Sequence, residues 1–416
     1  MIKKLNIIYL NKLLKYRFFN INLFFFNKIN NKRKILQFYL NNLRKNKNIL
    51  SKKYFLNKKN NNFIYKNILY INNNIKKIKN ILNIFNYIIN HFILSIPNIP
   101  HKSISINKYY INNIIIKKTK KKKFNFKIKN HINIGKKMGI SNTDGIKITG
   151  SNFFVIKNKL AKLYRAIYNF MIDFHLKKNN YIEYQIPYIT NKLSLIGSGQ
   201  FPKFKNKIFK IKNNNEKKSF YLIPTSEVAL INIMRNNIIS FNKLPIKMLS
   251  YSHCFRNEKI SYGIKNKGLI RQYQFDKIEL VQFVEPKYSQ VTLEKMLFHA
   301  ENILKKIDLP YRIIELCSGE INFSSCKTYD LEVWLPSEKI YIEVSSISNC
   351  KDFQTKRINA KFINKNENIK FLNSLNATGL AIGRIFISIL ENYQMENEKI
   401  FIPKVLRKYM NNIKKI

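Results

Sequence analysis

Residues 256–279, RNEKISYGIKNKGLIRQYQFDKIE, combine side chains that could hold a nucleotide. Charged and aromatic residues stand at the two ends of this stretch: Arg256, Glu258, Arg271, Phe275 and Glu279. Arginine suits phosphate because its planar fork bonds two oxygens at once and keeps its charge. The chain has neither GxxxxGKS/T nor GxGxxG, so side-chain cations would have to bind the phosphates. Arg256 and Arg384 are the candidates, since the residues near each include types other than the Lys, Asn and Ile that are in excess in this chain.

The net charge of the chain is +53, from 76 Lys+Arg against 23 Asp+Glu, and no acidic residue precedes Asp144. Such a charge attracts polyanions, which makes RNA a natural partner. An AT-rich genome would produce the same excess of Lys, Asn and Ile through its codons. The charge alone therefore does not decide between an enzyme and a non-catalytic RNA-binding protein.

The cysteines and histidines argue against a structural zinc or a disulfide framework, because the four cysteines include no CxxC and the six histidines no HExxH. A reduced, cytoplasmic chain is expected. The most apolar early stretch, FFNINLFFFNKI, is interrupted by three asparagines and followed by no small-residue cleavage site. It therefore predicts neither a signal peptide nor a membrane anchor.

Apolar side chains recur between residues 64 and 92 with spacings that alternate between four and three. The series is Ile64, Ile68, Ile71, Ile75, Ile78, Leu82, Phe85, Ile89 and Phe92. This pattern is typical of a coiled-coil seam, although Ile is frequent enough in this chain to imitate a heptad. With a rougher series from Ile29 to Tyr54 and a polar tip at 57–62, it predicts an antiparallel helical hairpin over about 28–94.

The amino-acid composition of the chain changes after the predicted hairpin. The motif SIPNIP ends the second helix, since proline removes a hydrogen-bond donor and clashes within a helix. The basic stretch KKTKKKKFNFK follows, and glycine first appears at Gly135, where tight turns become necessary. We predict an N-terminal domain at 1–105, a basic linker at 106–130 and a second domain at 131–416.

Short apolar runs alternate with helices in the second domain. The predicted elements are helices at 159–178 and 379–394, the latter opened by glycine, and strands at 181–189 and 339–348. Alternation along the last strand places Glu343 and Ser345 on one face. Because the strands follow no regular βαβ order, the pattern favours an antiparallel sheet in an α+β domain.

Three segments together resemble the signature motifs of the class II aminoacyl-tRNA synthetases. They are residues 150–189, the pair CFRNE and GLIRQYQFDKIE, and NATGLAIGRIFISILENYQ. The stretches PTSEVAL, EVSSISNCKDFQTKR and GSGQFPKF narrow the resemblance to the seryl-tRNA synthetase family. The resemblance covers nearly the whole chain. It implies an antiparallel β-sheet catalytic domain with flanking helices, preceded by a coiled-coil arm that binds tRNA.

The resemblance also implies a site for ATP. It assigns to this site Arg256, Asn257, Glu258, Phe275, Glu343, Val344, Ser345, Ser346 and Arg384. Arg256 and Arg384 would be catalytic, the first at the α-phosphate and the second at the γ-phosphate. Glu258 would accept from the adenine amino group, and Phe275 would stack on the adenine ring. Glu343 and Ser346 would be ligands of Mg²⁺, which prefers hard oxygen donors.

A serine site is implied by the same family. The residues that it assigns to serine are Thr225, Ser226, Glu227, Glu279 and Thr378. Thr225, Glu227 and Glu279 would hold the amino end, and Glu279 and Thr378 would bind the hydroxyl. A buried site built to bond a hydroxyl rejects alanine because its own polar groups would otherwise stay unpaired.

The residue types alone allow other interpretations of some of these positions. Glu227 and Glu279 could be surface acids that balance nearby lysines, and Phe275 alone would more often be a core residue. The chain also departs from the family pattern at Lys267, where arginine is usual, and at Tyr273, where histidine is usual. These departures leave the residues assigned to chemistry in place.

The activity implied is that of a serine–tRNA ligase, which forms seryl-adenylate from L-serine and ATP and then charges tRNA(Ser). The resemblance further implies a homodimer formed through the first motif, and it leaves open tRNA(Sec) as a second substrate. Two alternatives are a threonyl or prolyl synthetase of the same class and a degenerate RNA-binding protein without catalysis. Exchange of pyrophosphate into ATP in the presence of serine would separate these hypotheses.

Overall fold

The computed structural model describes residues 7–56, 62–212, 219–257 and 268–416. The chain divides into two compact units. The first, which we call the helical unit, comprises Met1–Lys15 and Phe19–Pro97. The second, which we call the sheet unit, comprises Tyr16–Phe18 and Asn98–Ile416.

The helical unit is built from α1 (Ile7–Leu14), α2 (Leu23–Leu56) and α3 (Asn62–Leu94). Helices α2 and α3 share a seam of buried aliphatic side chains: Leu40, Leu43, Ile75, Ile78 and Leu82. Each of these residues belongs to the apolar series read from the sequence. The periodicity therefore marks the face that is buried when the two helices pack.

The two long helices run antiparallel. Near one end of the pair the rings of Phe26 and Phe92 lie 5.4 Å apart, and near the other end those of Tyr54 and Tyr65 lie 6.1 Å apart. The predicted coiled-coil hairpin is thus confirmed. Its predicted polar tip, residues 57–62, lies outside the described residues except for Asn62.

The sheet unit contains the remaining helices and all the strands of the described residues. The helices are α4 (His131–Met138), α5 (Asn142–Thr149), α6 (Asn158–Asn179), α7 (Lys192–Ser198), α8 (Glu227–Ile233), α9 (Ser289–Ile307), α10 (Phe353–Ile358) and α11 (Ile382–Asn392). The strands are β1 (Ile114–Lys118), β2 (Ile140–Ser141), β3 (Val155–Ile156), β4 (Ile182–Glu183), β5 (Ile189–Asn191), β6 (Lys210–Ile211), β7 (Phe220–Leu222), β8 (Ile238–Ser240), β9 (Ile246–Phe255), β10 (Gln274–Val284), β11 (Tyr311–Glu315), β12 (Lys327–Leu335), β13 (Ile340–Lys351), β14 (Lys361–Ile363), β15 (Ile369–Phe371) and β16 (Asn373–Ala381).

The largest sheet of the described residues has eight strands in the order β1-β11-β12-β13-β16-β10-β9-β4. Neighbouring strands are antiparallel except β4 and β9, which are parallel. Strands β9 and β10 are neighbours in sequence and in the sheet, whereas β16 enters between β13 and β10. The three strands predicted to carry most of the chemistry, β10, β13 and β16, therefore lie side by side.

The sheet has one apolar face, and its other face is polar where the strands line the cavity, because side chains alternate along each strand. On β10, Ile278 and Leu280 join the main core with residues of α6, α9 and α11, while Lys277 and Glu279 line a cavity on the other face. On β16, Ala377 joins that core. The apolar face fixes the register of each strand, and the register fixes which polar side chains meet.

Several predicted elements have the expected bounds and others do not. The predicted helix at 159–178 is α6, and the predicted strand at 339–348 is β13. The predicted strand at 181–189 was wrong as one element, because only β4 and the first residue of β5 are strand there. Pro187, which lies between them, has no N–H to donate to a ladder. The helix predicted from Gly379 begins only at Ile382, since β16 continues through Ala381.

The structure also corrects the face predicted for Ser345. In the β12–β13 ladder Glu332 pairs with Glu343 and Leu331 pairs with Ser345, so the residue between them, Val344, has no partner. This β-bulge adds one residue to β13 and inverts the alternation after it. Ser346, rather than Ser345, therefore shares the cavity face with Glu343.

Residues 106–130, predicted to be a basic linker, include strand β1, which pairs antiparallel with β11 at one edge of the sheet. Its five side chains are all exposed, as suits an edge strand that carries lysine. Within the described residues we find no helix whose length and apolar character would let it span a membrane.

Candidate active site

The polar face of the sheet lines a cavity of about 610 Å³. Most of the residues predicted for ATP and serine line it: Thr225, Glu227, Arg256, Phe275, Glu279, Glu343, Val344, Ser346, Thr378 and Arg384. Arg271, singled out in the sequence without a firm role, lines it too. Residues up to 159 positions apart in the chain thus meet in one hollow, because β10, β13 and β16 are neighbours.

Three of the predicted residues are described but do not line the cavity. Ser226 is buried and shares a 2.5 Å hydrogen bond with Ser252, and the N–H of Asn257 donates to the carbonyl of Lys207 at 2.9 Å. The hydroxyl of Ser345 donates to the carbonyl of Thr378, since the bulge turns it away from the cavity. Glu258, predicted to accept from adenine, lies outside the described residues.

At one end of the cavity a buried lysine joins two of the predicted serine ligands. The ammonium of Lys277 donates to the hydroxyl of Thr225 at 2.9 Å and forms an ion pair with the carboxylate of Glu279. The same hydroxyl donates to Oε2 of Glu279 at 3.0 Å. Glu279 is only 2% exposed, so this carboxylate is not a surface acid. Thr378 stands directly opposite Glu279 in the β10–β16 ladder.

Glu227 is the second buried carboxylate at this end. Its Oε1 accepts from Nε2 of Gln354 at 2.6 Å and from Nδ2 of Asn376 at 2.7 Å. Burial, together with the charge of Glu279, raises the pKa of Glu227 to about 7, although the hydrogen bond from Gln354 acts in the opposite direction. A ligand with a positive charge would therefore be favoured beside the two carboxylates.

The two predicted arginines lie at different places in the same cavity. The guanidinium of Arg256 lies 5.0 Å from the ring centre of Phe275, within the range of a cation–π contact, and its Nε donates to the carbonyl of Pro224 at 3.3 Å. Arg384 donates from Nε to the carbonyl of Ile270 at 3.3 Å. Both arginines still have donors that could meet phosphate oxygens.

Arg384 also approaches the candidate magnesium ligands. Its Nη1 donates to the carbonyl of Glu343 at 2.6 Å and lies 3.8 Å from a carboxylate oxygen of the same residue. Ser346 faces Asp330 across the β12–β13 ladder. Asp330 is 8% exposed, and its Oδ1 has no hydrogen-bond partner among the described residues.

The oxygen donors here suit Mg²⁺. Burial, and next the charge of Glu343, raise the pKa of Asp330 well above its usual range, so a cation beside these carboxyls would relieve their repulsion. Within the described residues no group of three or more His, Cys, Asp or Glu side chains is placed to bind a metal by itself. An ion at Glu343 and Ser346 would therefore need further oxygens from a ligand such as a triphosphate.

The sequence prediction missed several residues of the site: Lys277, Asp330, Gln354 and Asn376. Two of them carried a signal. Lys277 precedes Glu279 by two residues in a strand and must share its face, and Asn376 stands in the same relation to Thr378. Gln354 carried none, because helix α10 brings it to Glu227 through tertiary packing.

Comparisons with known proteins agree with this geometry. Residues 209–393 match the family model described as tRNA synthetase class II core domain (G, H, P, S and T), and this range includes every site residue named above. The chain is 46% identical over 398 residues to a protein of Wigglesworthia glossinidia brevipalpis named serine–tRNA ligase, with 92% of each chain covered. It is 44% identical over 332 residues to a protein of the same name from Herminiimonas arsenicoxydans, with 79% of this chain and 77% of the relative covered.

Two solved structures are similar over nearly the whole chain. The seryl-tRNA synthetase of Pyrococcus horikoshii, solved in complex with ATP, has a TM-score of 0.84 and 27% identity, with 98% of this chain and 96% of that chain covered. The cytoplasmic serine–tRNA ligase of Naegleria fowleri, in complex with AMP, has a TM-score of 0.81 and 26% identity, with 99% and 95% covered.

Proposed function

Since the chain belongs to the seryl-tRNA synthetase family of class II aminoacyl-tRNA synthetases, we propose that its cavity joins L-serine to ATP and then charges tRNA(Ser). The observation that carries this proposal is the meeting of Lys277, Glu279 and Thr225 with Arg256 and Arg384 in one cavity. Such a cavity offers carboxylates to an ammonium and guanidinium groups to phosphates.

The first step is the attack of a serine carboxylate oxygen on the α-phosphorus of ATP. The new P–O bond forms as the bond to the β-phosphate oxygen breaks, which yields seryl-adenylate and pyrophosphate. Arg256 neutralises charge at the α-phosphate, and Arg384 holds the γ-phosphate. Phe275 offers its ring to the adenine. No covalent enzyme intermediate is required, because orientation and charge stabilisation supply the rate.

Serine is held by the Glu227 and Glu279 end of the cavity. The pKa of Glu227 is about 7, and its ionised carboxylate accepts hydrogen bonds from the serine ammonium. Glu279 and Thr378, which face each other across the ladder, bind the hydroxyl. Alanine leaves those groups unpaired and is rejected. In the second step a ribose hydroxyl at the tRNA 3′ end attacks the seryl carbonyl, and AMP leaves.

Mg²⁺ is proposed at Glu343 and Ser346, whose oxygens suit it. When bound, the ion would neutralise negative charge on the phosphates. Arg384 bonds the main chain of Glu343 and so holds that end of the cavity in place. In the part of the chain that the structure describes, Oδ1 of Asp330 has no hydrogen-bond partner, which supports a cation at this end rather than a further anion.

The hairpin of α2 and α3 is proposed to bind the tRNA by shape and phosphate contacts, since it carries lysines and arginines and no acidic residue. The long variable arm of tRNA(Ser) is its proposed target, and tRNA(Sec) is left open as a second substrate. A homodimer formed through α6 and β4, and a cytoplasmic location, stay predictions from the family resemblance.

Serine-dependent exchange of labelled pyrophosphate into ATP tests the proposed function. We expect exchange with serine, little with threonine and none with alanine or proline. Exchange driven by threonine or proline would support another synthetase of the class, and a folded chain without exchange would support a non-catalytic RNA-binding protein. The relatives named serine–tRNA ligase favour the first outcome.

A further inference from the structure

Arg17 directs all its hydrogen bonds in the described residues to main-chain carbonyls. Its Nη1 donates to the carbonyls of Asn98 and Ser325, each at 2.9 Å, and its Nη2 donates to that of Ile321 at 2.7 Å and to that of Asn322. No described carboxylate pairs with it. Burial lowers its pKa to about 10, which leaves it positively charged at neutral pH.

Three of these four carbonyls belong to the segment between β11 and β12, residues 316–326, which we call the 316–326 loop. Charge-assisted hydrogen bonds are stronger than neutral ones, and a planar guanidinium fixes the direction of each. Tyr16–Phe18 belongs to the sheet unit although the chain on both sides of it belongs to the helical unit. The guanidinium therefore fastens this loop from a distant part of the sequence.

The 316–326 loop forms one wall of the cavity. Its cavity-lining residues are Leu316, Glu320, Asn322, Phe323 and Ser324. Asn98 supports the same wall: its N–H donates to the carbonyl of Phe323 at 2.9 Å, and its Nδ2 donates to the carbonyl of Ser324 at 2.8 Å. Two residues from outside the loop, Arg17 and Asn98, thus bind all five carbonyls from 321 to 325.

This wall lies beside the Glu227 end of the cavity. A Cβ on Gly199 would lie 3.6 Å from that of Ser324, so α7 and the loop are in close contact. The carbonyl of Ser198 accepts from Nε2 of Gln354 at 3.0 Å, and the same group donates to Glu227 at 2.6 Å. A continuous set of contacts therefore leads from the loop to the carboxylate that we propose for the serine ammonium.

We propose that Arg17 is a positioning residue for the amino-acid end of the cavity. By holding the carbonyls of the 316–326 loop it keeps the wall beside Gly199 and Glu227 in the shape that fits serine. Arg17 is not among the described residues that line the cavity, so it would touch neither substrate. The proposal rests on the proposed function, and it predicts a selective effect, since in the described residues Arg384 and Glu343 at the phosphate end form no hydrogen bond or ion pair with this loop.

Variants of Arg17 in the full chain test this by pyrophosphate exchange. Arg17→Ala should raise the KM for serine about tenfold while the KM for ATP stays within about twofold, because the carbonyls lose a charged partner. Arg17→Lys keeps the charge but not the fork and should raise the KM for serine about threefold. Arg33→Ala is the matched control, since Arg33 bonds only Asn30 of its own helix in the described residues.

Hydrogen–deuterium exchange of the 316–326 amides is the second readout and does not depend on catalysis. Arg17→Ala should increase exchange in that loop and leave β10 unchanged. Any of three results would overturn the proposal: unchanged hydrogen–deuterium exchange in the 316–326 loop, an unchanged KM for serine, or an equal rise in the KM values for serine and ATP. If Arg17→Ala does not fold, Asn98→Ala must show the same selective rise in the KM for serine, and its absence overturns the proposal. If the wild-type chain shows no serine-dependent pyrophosphate exchange, the proposed function is rejected. Hydrogen–deuterium exchange of the 316–326 amides would then decide whether Arg17 holds the loop.

Discussion

The helical unit and the sheet unit use the same biased set of amino acids in different ways. Helices α2 and α3 contain no acidic residue, and only one face of each is buried, while side chains such as Phe38, 69% exposed, contact solvent. In the sheet unit, two buried acids of the cavity have definite partners: Glu279 pairs with Lys277, and Glu227 accepts from Gln354.

This difference shows which residues each structure requires. A helical seam needs apolar side chains at the right period, and swaps among them that conserve volume usually cost less than about 1.5 kcal/mol. The cavity needs a particular group at each place, because a buried charge without its partner costs several kcal/mol. Compositional bias can therefore change the helical unit freely, but it cannot replace the acids and arginines of the cavity.

The largest effect is expected from Glu279→Ala. This variant removes the carboxylate that accepts from Thr225 and pairs with Lys277, and it leaves the buried ammonium without its charged partner. We expect serine-dependent kcat/KM to fall about 10³-fold. Exchange kinetics measure this, with Glu396→Ala as the control, since Glu396 is exposed. A Glu279→Ala enzyme with nearly normal exchange would show that the cavity tolerates change as the helical unit does.

Replacing residues 28–94 by a short Gly/Ser linker should separate the two units by function. Exchange should stay within about threefold of the full chain, because every described residue that lines the cavity belongs to the sheet unit. Charging of tRNA should fall about 100-fold, since many cationic contacts to phosphates are lost. Parallel exchange and charging assays check both values. Loss of exchange from the folded variant would contradict this division.

A smaller, pH-dependent effect is expected from Glu227. Its pKa is raised to about 7, so the ionised form that accepts the serine ammonium predominates only above that pH. The KM for serine should therefore fall as pH rises through about 7 and then level off. Without ligand, the raised pKa stabilises the fold at low pH, and this contribution is lost as pH rises through about 7. Glu227→Gln should remove the pH dependence of the KM; a pH profile unchanged in this variant would assign it to another group.

The smallest effects belong to the helical unit. Leu40→Ala removes a side chain that is 3% exposed from the seam and should lower the free energy of unfolding of this unit by about 2–3 kcal/mol. Phe38→Ala, two residues away on the opposite face of α2 and 69% exposed, should change this free energy by less than about 0.5 kcal/mol. Thermal unfolding followed by circular dichroism measures both. Equal effects would mean that the seam read from the sequence does not hold the hairpin.

The sequence predicted the helical hairpin because a period of 3.5 residues is a local property of the chain. It predicted the meeting of Arg256, Glu279, Glu343 and Arg384 only through the family resemblance, since no local pattern relates β10, β13 and β16. Their adjacency depends on the sheet order. The residue types of the site could be read from the sequence, but the distances between these residues could not.

The residues that the sequence missed have separate physical reasons. Lys277 could have been found from its two-residue spacing to Glu279, although lysine is rarely buried and this chain contains many lysines. Gln354 and Arg17 act through contacts across 127 and more than 300 positions, respectively, which no spacing records. The placement of Ser345 failed because regular alternation cannot foresee a bulge.

The bulge at Val344 has a consequence for how this strand tolerates changes in length. Val344 lies between Glu343 and Ser345 and has no partner in the β12–β13 ladder. Its deletion would straighten β13 and keep every later pair opposite its present partner. A deletion two residues further on would instead send Ser348 to the apolar side and an aliphatic neighbour into the cavity. Loss of Val344 would therefore disturb the pairing of β13 least, but it would remove a side chain that is 1% exposed in the main core and lines the cavity.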